Sequence, residues 1–179
     1  TGTQDGTGKI DGADFFDGNG DKITVSDPGT GSSLDVDLIT ISMWIEANSF
    51  ASGWQGLLVK TSVGVYEAWL YNDDVRFGAT IGGTNYRQTY TANLLTDTQY
   101  FLTYRFDGTD MKVYINGEEK QSWNHPGTID DTNNNIYIGW SGYSTEYFDG
   151  TIDEIRISNI SRSAQWISTS YNNQNSPSA

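Results

Sequence analysis

With 179 residues, 36% apolar and 13% aromatic, the chain can close one hydrophobic core, which excludes wholesale disorder. Its net charge of −13 repels phosphate backbones and anionic lipid, so nucleic acid and membrane surfaces are disfavoured as partners. It contains no cysteine, which removes disulfides, thiolate metal sites and a cysteine nucleophile, and no apolar run approaches the ~20 residues that span a bilayer.

Residues 1–12 (TGTQDGTGKIDG) read as an N-terminal linker or an extension of the first strand. Gly6-Thr7-Gly8-Lys9 ends like a phosphate loop, but Ile10 stands where that loop needs Ser or Thr. Strands are predicted at 13–16 and 21–25, on either side of the Asp17-Gly18-Asn19-Gly20 turn, and 28–35 reads as a Gly/Ser-rich loop. In 39–47, Ile39, Ile41, Met43 and Ile45 fall on one face and Thr40, Ser42, Trp44 and Glu46 on the other. Further strands are predicted at 56–60, 65–71, 75–80, 86–91 and 99–106, with turns at Asp73-Asp74 and Gly82-Gly83. Residues 101–120 read as a three-stranded meander, its turns made by Asp107-Gly108 and Asn116-Gly117, which supply the positive φ that tight hairpins need. Strands at 110–116, 118–122, 136–140 and 148–158 complete the set.

A single helix is predicted, over 163–171, where Trp166, Ile167 and Tyr171 fall near helical spacing. Asn159-Ile160-Ser161 fits a glycosylation acceptor, relevant only in a eukaryotic secretory host. Residues 173–179 read as a C-terminal linker, leaving one domain over 13–172. About a dozen short strands without long helices predict an all-β, two-sheet antiparallel sandwich or barrel with one short C-terminal helix.

Four segments, in order, resemble the laminin G-like/concanavalin A-like jelly rolls of prokaryotic multidomain surface or secreted proteins. They are 16-FDGNGDKITV-25, 40-TISMWIEA-47, 104-YRFDGTDMKVYINGEE-119 and 148-FDGTIDEIRISNISRSAQWI-167. The resemblance covers about Ala13 to Asn172 and implies two packed antiparallel sheets. It implies binding or adhesion more often than catalysis.

Asp17, Asn19 and Asp21 open like a calcium loop, but Pro28 occupies the position of the bidentate Glu, which excludes an EF-hand. The resemblance implies a structural calcium between the first hairpin and the last strand, with Asp17, the Gly18 carbonyl and Asp153 as ligands and Asp11 or Asp14 joining them. The competing reading gives Asp17 and Asp149 to Asp-Gly turns and Asp153 to backbone amides.

Aromatic rings stack on the apolar faces of sugars while planar polar groups take the hydroxyls. The loops 52–56, 82–88, 121–127 and 139–147 combine both, and the ligand-binding candidates are Trp54, Tyr86, Arg87, Trp123, His125, Trp140 and Tyr143. Trp140 is also in phase with Ile136 and Ile138, which favours the core, and Trp44 and Trp69 are candidates for an outer sheet face. Glycoside hydrolysis needs two placed carboxylates. The Glu-x-Asp-x-x-Glu strand of jelly-roll glucanases is missing, as is the Gln-x-His of jelly-roll alginate lyases. The adjacent acids Asp73-Asp74, Glu118-Glu119 and Asp130-Asp131 point to opposite faces if extended.

The expectation is a non-catalytic, monomeric carbohydrate-binding module, tethered in a larger secreted or cell-surface protein. Its partner is a polysaccharide or glycan and its cofactor a structural calcium. The alternative is a structural or adhesion domain that binds protein or serves as a spacer, and a divergent glycosidase or lyase is the third reading.

Overall fold

The computed structural model describes residues 3–50, 53–60, 64–143 and 145–176, with the side chains of 3–5 left out. Ser52, part of one predicted aromatic loop, and the last three linker residues lie outside the described residues.

The described residues form thirteen strands and one helix: β1 (Thr3–Thr7), β2 (Gly12–Asp17), β3 (Ile23–Val25), β4 (Ile39–Ala47), β5 (Trp54–Lys60), β6 (Tyr66–Tyr71), β7 (Asp74–Ile81), β8 (Thr84–Tyr90), β9 (Gln99–Phe106), β10 (Asp110–Ile115), β11 (Glu118–Asn124), β12 (Ile136–Ile138), β13 (Asp149–Ser158) and α1 (Ala164–Asn175). One sheet has seven strands in the order β1-β2-β13-β4-β9-β10-β11, the other six in the order β3-β12-β5-β6-β7-β8. All pairings are antiparallel, so this is the two-sheet sandwich with one C-terminal helix that the alternation predicts.

The period-2 pattern builds both layers. Ile39, Ile41, Met43 and Ile45 of β4 meet Ala68, Leu70, Val75 and Phe77 of β6 and β7 in one shared core. The opposite side of β4 and β9 carries Trp44 and Phe101, which form a second apolar cluster with Tyr114 and Ile167. Helix α1 supplies that cover. Ser163 caps it by accepting a hydrogen bond from the Trp166 amide, and Trp44 Nε1 donates to Gln174 Oε1 at 2.6 Å. The helix runs to Asn175, past the 171 end predicted for it, because Gln174 is buried against Trp44.

The strand predicted over 136–140 ends at Ile138. Gly139 takes a φ of +77° and packs so closely on Phe16 that a Cβ would lie 2.2 Å from its ring. That turn breaks the phase that placed Trp140 with the core isoleucines. Trp140 instead stacks on Tyr147, centroids 5.6 Å apart, with the Lys22 ammonium 4.0 Å above its ring.

Candidate functional site

The two outer faces of the sandwich differ. Helix α1 covers the seven-stranded sheet beside Trp44, whereas the six-stranded sheet carries no helix among the described residues. On that open face, alternation in β6 sends Tyr66, Ala68 and Leu70 into the core and Glu67, Trp69 and Tyr71 outward. Register then lays out three rows. Val59, Glu67, Gly78 and Arg87 are cross-strand neighbours; so are Gly56, Trp69, Arg76 and Thr89; so are Trp54, Tyr71 and Asp74.

In the first row, Arg87 Nε and Nη2 donate to Glu67 Oε2 and Oε1, both at 2.8 Å. In the other rows, Trp54 lies against Tyr71 with ring centroids 4.1 Å apart and meets the Trp69 ring edge-on at 5.5 Å. The Arg76 guanidinium carbon sits 4.5 Å from the Trp54 ring and that of Arg87 5.4 Å from the Trp69 ring.

Residues 139–143 and 145–147 fold over this face. The Gly56 amide donates to the Glu146 carbonyl, and a Cβ on Gly56 would meet the Ser141 nitrogen at 2.3 Å, so only glycine admits the crossing. The crossing brings Tyr143 and Glu146 beside the strand residues and closes a cleft of about 210 Å³ lined by Trp54, Trp69, Arg76, Arg87, Tyr143 and Glu146.

Three buried polar atoms on residues lining this cleft have no hydrogen-bond partner in the protein: Trp69 Nε1, Arg76 Nε and Glu146 Oε2. Trp69 is only 5% exposed although it lies on the outer face. A buried polar group left without a partner costs about 1–3 kcal/mol, so three on residues that line one cleft make it a candidate place for a ligand's hydrogen bonds. Burial, and after it the positive charge of Arg87, holds the Arg76 guanidinium below its ordinary pKa, whereas the hydrogen bonds to Glu67 raise that of Arg87.

Of the expected ligand-binding residues, the structure brings Trp54, Arg87 and Tyr143 into this cleft. Tyr86 and Trp123 are not with them: both pack against the central core. Tyr86 precedes Arg87 on β8, and neighbours in a strand face opposite ways, so the two cannot share a site. His125 stacks on Tyr86, centroids 4.0 Å apart, with its Nε2 2.8 Å from Gln88 Nε2. Trp140 donates from Nε1 to the Tyr143 carbonyl at 3.0 Å and so holds the loop that carries Tyr143.

Arg76, Glu146 and the role of Trp69 were missed as site residues. For Trp69 the signal was present: in 66-YEAWLY-71 it is out of phase with the core residues Tyr66, Ala68 and Leu70, and it lines the cleft. Glu146 carries no such signal, because its position depends on how the loop crosses Gly56.

The expected calcium ligands are not brought together. Asp17 faces Asp149 across β2 and β13, and Asp153 lies four positions further along β13, about 13 Å away at the usual strand rise. One calcium holds its oxygens at about 2.3–2.6 Å, so Asp17 and Asp153 do not fit a single ligand sphere. Asp153 Oδ2 accepts from the Lys9 and Ile10 amides at 2.7 and 3.1 Å, and Asp17 Oδ1 from the Asn19 amide at 2.8 Å. Among the described residues no group of three or more His, Cys, Asp or Glu side chains is arranged to hold a metal.

A family model described as the concanavalin A-like lectin/glucanases superfamily matches residues 17–168. Among solved structures, the binding domain of Paraclostridial Mosquitocidal Protein 1 superposes with a TM-score of 0.79 at 17% identity, over 96% of this chain and 46% of that one. The botulinum neurotoxin serotype D binding domain gives 0.71 at 18% identity, over 90% and 42%. A Bacteroides ovatus structure described as a "putative carbohydrate binding protein" gives 0.70 at 20% identity, over 87% and 45%. At these identities the likeness shows the fold, and the chain spans less than half the length of each. No curated protein sequence matches it.

Proposed function

Because the chain belongs to the concanavalin A-like lectin/glucanases superfamily, we propose that it is a non-catalytic carbohydrate-binding module of a larger extracellular protein, with its glycan site in the cleft on the open face of the six-stranded sheet. One observation carries the reading: unpartnered polar atoms of Trp69, Arg76 and Glu146 belong to the residues that line a cleft beside the Trp54 ring. Apolar rings beside unsatisfied donors and acceptors suit the two kinds of surface a sugar presents. Among the described residues one carboxylate, Glu146, lines the cleft, while Glu67 is paired with Arg87, and this favours binding over hydrolysis by a carboxylate pair. No helix among the described residues is long and apolar enough to cross a membrane.

Retention on a glycan array and on insoluble polysaccharides, lost in Trp54→Ala and Arg76→Ala proteins that melt like the wild type, supports the assignment. No retained glycan across a broad panel overturns it.

The inward packing of Tyr86 and Trp123 favours a second reading, an adhesion or spacer domain whose loop aromatics are structural. The similarity to toxin binding domains, described for the type G, D and mosaic C/D botulinum neurotoxins as receptor binding, is compatible with a protein partner. Acrylamide quenching separates the two: partial quenching of tryptophan emission that glycan reverses supports the module, and quenching indifferent to glycan supports the spacer. A structural calcium would belong with Asp17 or with Asp153, but not with both. A melting temperature lowered by chelator supports it, and an unchanged one removes it.

A further inference from the structure

We infer that the cleft selects a single neutral pyranose ring, taken at the end of a glycan, and discriminates against both uronic acids and amino sugars. This deepens the glycan reading of the same cleft and rests on it.

Size comes first. Pockets that enclose drug-sized ligands run to about 300–1,000 Å³. The cleft holds about 210 Å³, the scale of one sugar ring rather than several.

The pattern of unpaired atoms comes second. Arg76 Nε and Trp69 Nε1 are donors that want acceptors, and Glu146 Oε2 is an acceptor that wants a donor. A hydroxyl both donates and accepts, so a ring with several hydroxyls satisfies all three atoms at once. A carboxylate only accepts. It would answer Arg76 and Trp69 but set its charge against Glu146 in a partly desolvated site. An ammonium only donates. It would answer Glu146 but oppose Arg76 and leave both N–H groups unpaired.

Charge comes third. Arg87 is matched by Glu67 in a doubly hydrogen-bonded pair, and Arg76 and Glu146 are the remaining opposite charges lining the cleft. Among the described residues neither of the latter two forms an ion pair. The cleft is therefore neutral in sum, with its positive and negative groups unpaired by one another. It accepts a dipolar neutral ring without leaving a buried charge uncompensated. The −13 net charge of the chain adds a long-range term against anionic glycans.

The test is titration calorimetry with methyl glycosides of the neutral hexoses in both anomeric forms, the matching methyl uronosides and methyl aminoglycosides, and neutral oligosaccharides of increasing length. The wild type is compared with Glu146→Gln, which removes the charge without changing shape, and with Trp69→Phe, which removes the N–H. At least one neutral glycoside is expected to bind at least tenfold more tightly than its uronoside and aminoglycoside. Trp69→Phe is expected to weaken it at least fivefold, and Glu146→Gln to move the uronoside-to-neutral affinity ratio at least tenfold towards the uronoside. Affinity per chain is expected to level off by the disaccharide. Equal or tighter binding of uronosides overturns the neutral-ring inference while leaving the glycan reading standing. So does a ratio that Glu146→Gln does not move, or affinity that climbs steadily with chain length. No binding by any glycoside or oligosaccharide overturns both.

Discussion

Arg87 grips Glu67 through two 2.8 Å hydrogen bonds laid over Gly78, the residue between them in register on β7. A Cβ on Gly78 would stand 2.4 Å from Glu67 Oε2 and 3.3 Å from Arg87 Cγ. Glycine inside a strand usually costs about 0.5–1 kcal/mol relative to alanine, so alanine would ordinarily stabilise. Here the overlap reverses the sign. Gly78→Ala is expected to lower stability by about 1–3 kcal/mol in urea unfolding, the range for overpacking a filled site, and to weaken glycan binding by displacing Arg87 from the cleft.

Lys60 is buried in the core and lies 2.8 Å from Asp27 Oδ2 and 2.7 Å from Asp35 Oδ1, with its ammonium also donating to the Leu34 carbonyl. Burial pushes the lysine down, but the hydrogen bonds to the two carboxylates outweigh it and its pKa rises. The Lys60 hydrogen bond, with help from the Gly29 amide, holds Asp27 below the usual carboxylate range. The same lysine, with help from Asp131, does so for Asp35. A carboxylate depressed in the folded state contributes stability above its ordinary pKa and loses it as pH falls through the folded value. Asp131 is shifted up by its hydrogen bond with Asp35, so its contribution has the opposite sign and only partly offsets the pair. Stability is therefore expected to fall as pH drops below about 4. Lys60→Met, which leaves the two carboxylates facing each other, is expected to destabilise at pH 7 and to flatten or reverse that acid slope. Urea midpoints across pH 2–7 decide, and parallel slopes in the two proteins would remove the pair from the account.

Ile167 is fully buried between α1 and the Trp44–Phe101 pair. Ile167→Ala is expected to cost about 2–4 kcal/mol and Ser163→Ala about 1 kcal/mol, from the cavity and the lost cap respectively. Both changes lie on the side away from the cleft, so glycan affinity measured on the folded protein should stay within twofold.

Trp54 and Tyr86 were equal candidates in the sequence, and the structure separates them: Trp54 lines the cleft and Tyr86 packs against the core. Trp54→Ala is expected to abolish retention on polysaccharide with a modest shift in melting temperature. Tyr86→Ala is expected to destabilise by about 2–4 kcal/mol while the folded fraction retains its glycan. The reverse pattern would place the site at the β8–β11 edge instead.

The layers were legible because alternation in a segment such as 39–47 records which side of a strand is dry. The same rule, carried into 66–71, would have exposed Glu67, Trp69 and Tyr71 as a facing set. What could not be read was the meeting of separate segments. Tyr86 and Arg87 are adjacent in sequence and part company in space, whereas Arg76 and Glu146 share a cleft across seventy positions of chain. Trp140 misled because a single glycine at positive φ, Gly139, ended the periodicity that placed it. The expected calcium ligands sit apart for a metric reason, since Asp17 pairs with Asp149 while Asp153 lies four rungs further along β13.

Lys9 Nζ donates to Asn175 Oδ1 at 2.8 Å and lies 4.7 Å from the Trp44 ring centroid, so the connection between β1 and β2 is fastened to the end of α1, on the side opposite the cleft. That pin joins residues 166 positions apart and ties the edge of the seven-stranded sheet to the helix that covers it, so prising the helix off Trp44 must also undo the β1–β2 connection.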